Sequence, residues 1–105
     1  MIVITITAPD RTTADRLAGA LVERRQAACV QVSGPITSTY RWQGATETAE
    51  EWLVVAKTVA ERFAAVEQTL AEFHPYDTPE LIATPITQAS AAYAAWVAAN
   101  TAPQP

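Results

Sequence analysis

The chain is short of the residues that most often carry chemistry. Its 105 residues include one histidine and one cysteine. A lone thiol, Cys29, cannot close an intrachain disulfide, so nothing points to an oxidising compartment. Positive charge is also scarce, with seven Lys and Arg against eleven Asp and Glu. Nucleic-acid binding draws on clustered basic residues that displace phosphate counterions, and no segment here is basic, so nucleic acid is excluded as a partner. The net charge of −4 suits cationic ligands, although acidic balance more often serves solubility. Met1 leads straight into Ile2-Val3-Ile4 with no basic leader and no long apolar run. Neither a signal peptide nor a membrane span is read, and the expected location is cytoplasmic. With three glycines there is no phosphate-cradling loop. Nucleophile–base and metal-hydrolase signatures are missing too, so no enzyme is expected.

What the chain does have is a stiff corner, Phe73-His74-Pro75-Tyr76-Asp77-Thr78-Pro79-Glu80-Leu81-Ile82. Pro75 steers His74 out of helical geometry, and Pro79 forces extended backbone at Thr78. A helix must stop near His74, and a strand must start near Leu81. The polar groups His74, Asp77 and Glu80 sit on that corner, which makes it the first place to look for function, although the prolines could serve only to fix a turn.

Around the corner, 105 residues suffice for one domain, read as 1–100 with a disordered tail at 101–105. Ile2–Thr7 alternates as a strand. A capping box at Thr12-Thr13-Ala14-Asp15 opens a helix with Ala14, Leu17, Ala18, Leu21 and Val22 on one stripe, and Arg24 and Arg25 suit its negative end. Gly19 inside it implies close approach to another backbone. Cys29–Gln43 and Glu50–Thr58 read as a long hairpin, with a turn over 43–46 and a bulge or bend at Gly34-Pro35. A second capping box at Thr58-Val59-Ala60-Glu61 precedes a helix carrying Phe63, Val66, Leu70 and Phe73. Leu81–Ile86 is the fourth strand, and Ser90 caps a last helix through Asn100.

The order strand, helix, strand, strand, helix, strand, helix predicts an α+β ferredoxin-like sandwich: one antiparallel sheet with both long helices on one face. An acylphosphatase-like use of that fold needs a phosphate loop after the first strand, and Ala8-Pro9-Asp10-Arg11 is a poor one. The hairpin is too long for so small a sheet. Its aromatics Tyr40, Trp42 and Trp52 predict pairing with other copies of the chain; the competing reading packs them on the chain's own third helix.

Thr7-Ala8-Pro9-Asp10, Arg25-Gln26-Ala27-Ala28-Cys29-Val30, Ser38-Thr39-Tyr40-Arg41-Trp42-Gln43-Gly44, Lys57-Thr58 and His74-Pro75-Tyr76-Asp77-Thr78-Pro79-Glu80, with Pro85 and the pair Tyr93/Trp96, run in order along nearly the whole chain. In these segments the sequence resembles the CutA family of divalent-cation tolerance proteins. The resemblance implies a ferredoxin-like subunit in a stable homotrimer built by the long hairpin and shaped like the PII signalling proteins. It also implies a link to copper and other divalent cations, with no established catalysis. Some relatives carry further cysteines; here Ile6 stands where one can fall, which weakens any site needing several thiols.

His74, Glu80 and Cys29 are the candidate metal ligands, since imidazole, thiolate and carboxylate together suit Cu(II) or another divalent cation. Their spacing matches no sequential motif, so folding or assembly must bring them together. A turn at Tyr76-Asp77-Thr78 is expected to set His74 and Glu80 side by side facing an intersubunit cleft, with Cys29 a third contributor. No ion is needed for folding. Each residue also has a plainer reading: Cys29 as a small buried hydrophobe, His74 as a helix cap, Glu80 as a partner of backbone N–H groups or an Arg. Two functional classes remain open: a cation-responsive trimer, and a PII-like signalling or scaffolding trimer that takes a small metabolite or partner protein between subunits. Arg25, Tyr40, Trp42, Trp52 and Tyr76 are the expected cleft residues.

Overall fold

A computed structural model of the chain describes residues 1–103. The alternating β-branched run forms strand β1, Ile2–Ala8, whose Ile4, Ile6 and Ala8 are fully buried. Helix α1, Arg11–Glu23, opens differently from the expected capping box. Asp10 is its N-cap and accepts from the Thr13 N–H at 2.7 Å, while Asp15 pairs with Arg11 one turn back. A carboxylate placed just before the first turn reaches the unpaired N–H groups without using a helical position. Arg24 caps the C-terminal end, and Arg25 takes the left-handed conformation, φ 58°, that usually ends a helix on glycine. Gly19 has nothing within 4 Å of where a Cβ would stand, so it marks no close approach.

Strands β2, Cys29–Trp42, and β3, Ala45–Thr58, form the hairpin, and β3 starts five residues earlier than predicted. Gln43 and Gly44 both have positive φ, so two residues make the whole turn. The register shifts between Ser33 and Ile36, across a cis Gly34-Pro35 peptide, as the pair's unsuitability for a regular strand implied. Thr58 does not open a capping box. It ends β3 with its hydroxyl donated to the Gln26 carbonyl at 2.6 Å, and a single 3₁₀ turn at Ala60–Arg62 leads into helix α2, Phe63–Phe73. Strand β4, Leu81–Pro85, follows the corner, and helix α3, Ala91–Thr101, starts on Ser90 as expected. Thr101, first residue of the expected tail, is helical and buried; Gln104 and Pro105 lie outside the described residues.

The sheet is antiparallel throughout, in the order β2-β3-β1-β4. The two strand–helix–strand units interleave as a ferredoxin-like sandwich requires. Ile4, Ile6, Val54 and Ala56 on one face pack against Leu17 and Leu21 of α1 and Val66 and Leu70 of α2. α3 belongs to the other face: Tyr93 meets Cys29, which shares a side with Val3 and Lys57, and buried Val97 stands outside the main core cluster. Arg25 and Arg62 donate to the last carbonyls of that helix and its cap, Ala99, Thr101 and Ala102.

Pairing between β1 and β3 stops at Ala8 and Trp52, yet β2 and β3 stay paired out to Trp42 and Ala45. Seven residues of each strand, 36–42 and 45–51, therefore extend beyond the rest of the sheet as a two-stranded arm. At about 3.3 Å per residue the arm is roughly 23 Å long, and the subunit's long axis reaches 46 Å.

Candidate functional site

The proline corner meets the end of β1. α2 stops at His74, whose backbone is extended at φ −89° and ψ 134°, as Pro75 dictates. Its side chain is then drawn inward and is 7% exposed. Nε2 lies 2.8 Å from the Thr7 carbonyl, and Nδ1 lies 3.2 Å from the Tyr76 backbone N–H. A carbonyl can only accept and an N–H can only donate, so the ring is neutral with its proton on Nε2. The Tyr76 ring leans over the imidazole at 4.8 Å between centroids. His74 thus ties the corner to β1 with both nitrogens in use.

Glu80 precedes Leu81, which pairs with Ile6, so it stands level with Thr7 and at the same end of the sheet as His74. It is exposed. Cys29 is elsewhere. It is paired with Lys57, which is paired with Val3, four residues down β1 from Thr7 and so roughly 13 Å away along the strand, with the breadth of two strand spacings in addition. Its sulfur sits 3.1 Å from the Tyr93 hydroxyl. That bond, with burial second, pushes the Tyr93 phenol up from its ordinary range. Among the described residues no three His, Cys, Asp or Glu side chains are grouped closely enough to hold a metal. One copy of the chain therefore brings His74 and Glu80 to one end of the sheet but leaves Cys29 out, and its imidazole has no free lone pair. The three do not make a metal centre by themselves.

The expected cleft residues also divide. Tyr40 and Trp42 are 41% and 56% exposed on one face of the arm. Trp52 is on the opposite face, half-buried against the core, with the Arg11 guanidinium 5.3 Å from its ring centroid and Gly34 beneath it. It is a base for the arm rather than an outer aromatic, because β3 alternation assigns Trp52 to the side of Val54. The ring contact of α3 is internal to the helix, Tyr93 with Trp96 at 5.7 Å between centroids. Arg25 is spent on the carbonyls at the end of α3, at 2.9 and 2.6 Å.

Glu51 is the residue that sequence reasoning passed over. It is 8% exposed, and its oxygens keep access to solvent, since no buried side-chain oxygen among the described residues lacks a partner. Burial first, then the charges of Glu51 and neighbouring Tyr40 and Asp10, push the Tyr76 phenol up. Glu50-Glu51 looks like the charged entry to a strand, yet alternation from Val55 and Leu53 already assigns Glu51 to the sheet's second face.

Residues 2–100 match the family model described as CutA1 divalent ion tolerance protein. The chain is 39% identical over 99 residues to the divalent-cation tolerance protein CutA of Thermus thermophilus, covering 94% of this chain and 96% of that protein. The solved structure of the Thermus thermophilus protein superposes with a TM-score of 0.94 over 97% of this chain and all of that one. CutA1 from Oryza sativa gives 0.94 at 34% identity, over 98% and 94% of the two chains. A CutA from Archaeoglobus fulgidus described as periplasmic gives 0.93 at 36% identity, over 97% of this chain and 100% of that one. A match along nearly the whole chain, in sequence and in backbone alike, leaves one conclusion: this chain belongs to the CutA1 divalent ion tolerance protein family.

Proposed function

We propose that the chain works as a non-enzymatic, cation-responsive homotrimer whose subunits are joined through the hairpin arm. In this reading it binds Cu(II) or other divalent ions with donors from more than one copy. One observation carries it: the arm of residues 36–42 and 45–51 extends past β1 with both edges unpaired and Tyr40 and Trp42 exposed. A bare two-stranded ribbon is marginal in water, and open edges with large aromatics are what a second copy covers. Membership of a family named for divalent-ion tolerance supports the cation part. Because one copy gathers no three-donor group among the described residues, donors such as Glu80 or Cys29 have to be met by donors of another. Nitrogen, oxygen and sulfur donors then favour Cu(II) over Zn(II). A cytoplasmic location goes with this reading, supported by the single reduced thiol.

Light scattering behind size exclusion tests the assembly. The subunit mass is 11.3 kDa, so the expected particle is three times that, and Trp42→Ala shifts it toward the monomer at micromolar concentration. A wild-type monomer at that concentration refutes the reading. Calorimetric titration of Cu(II) into the same sample tests the ligand: Glu80→Ala weakens binding, and equal binding by wild type and variant removes Glu80 from the site.

A further inference from the structure

We draw no further inference here: the strongest candidate, the apolar groove along the edge strand β4 where Ile2, Phe63, Leu81, Ile82 and Pro85 meet, is an unpartnered face, and nothing in the structure shows what covers it.

Discussion

Replacing His74 with alanine tests whether the imidazole is a strut or a ligand. The ring makes two hydrogen bonds, to the Thr7 carbonyl and from the Tyr76 N–H, at 2.8 and 3.2 Å. Each is worth about 1 kcal/mol net, and leaving a buried partner unmet raises the loss. The tilted contact with Tyr76 adds about 0.5 kcal/mol, at the low end for aromatic pairs because Tyr76 is itself half-exposed. Together these give a destabilisation of about 2–4 kcal/mol for His74→Ala, the range found for truncating a buried, bonded side chain. His74→Gln, which can donate with its amide and accept with its carbonyl, should recover part of it. Urea unfolding at one fixed protein concentration is the assay, because assembly couples stability to concentration. A His74→Ala variant within 0.5 kcal/mol of wild type would falsify the strut. If that variant also loses Cu(II) binding, the histidine is a ligand whose two bonds give way to the ion.

Two glycines should respond in opposite directions. Gly19→Ala sits in an open helical position and should stabilise by about 0.5–1 kcal/mol; a loss would mean that a neighbouring copy approaches there. Gly34→Ala puts a Cβ 2.7 Å from the Trp52 ring and should cost about 1–3 kcal/mol, read by the same unfolding curves. Arg24 clamps Glu72 with bonds of 2.8 and 3.1 Å, and this hydrogen bonding holds the carboxyl below its ordinary 4.5. A lowered folded value means that the pair's contribution is complete above 4.5 and is lost as pH falls through the folded value. Acid unfolding of Glu72→Gln should therefore be flatter below that pH, and an unchanged profile would show the exposed pair to be screened out.

Much of the fold is legible in the residues because the signals are local. Alternating isoleucines made β1, the stripe through Val66 and Leu70 made α2, and Pro75 set the end of that helix within one residue. Ser90 marked α3 because a hydroxyl before an apolar helix meets an orphan N–H, as it does at Tyr93. Where two local signals compete, the sequence pattern alone does not say which one caps the helix. Thr12 and Thr58 both head capping-box patterns, but Asp10 holds the first helix and the Gln26 carbonyl takes the Thr58 hydroxyl.

The candidate site depends on distances no local pattern contains. His74 as a metal ligand and His74 as a strut have the same sequence; only the arrival of the Thr7 carbonyl and the Tyr76 N–H, through the turn after Pro75, commits both nitrogens. Cys29 and Glu80 both read as candidate donors in the sequence, and strand register alone assigns them to opposite ends of β1. Trp52 and Trp42 read alike as hairpin aromatics, yet pleat parity turns one toward the core and the other to solvent. The sequence by itself determined which elements form, because capping, proline geometry and apolar period act within a few residues. The tertiary structure alone decided which polar groups are satisfied by protein and which by solvent, because satisfaction depends on what the far end of the chain brings within 3 Å.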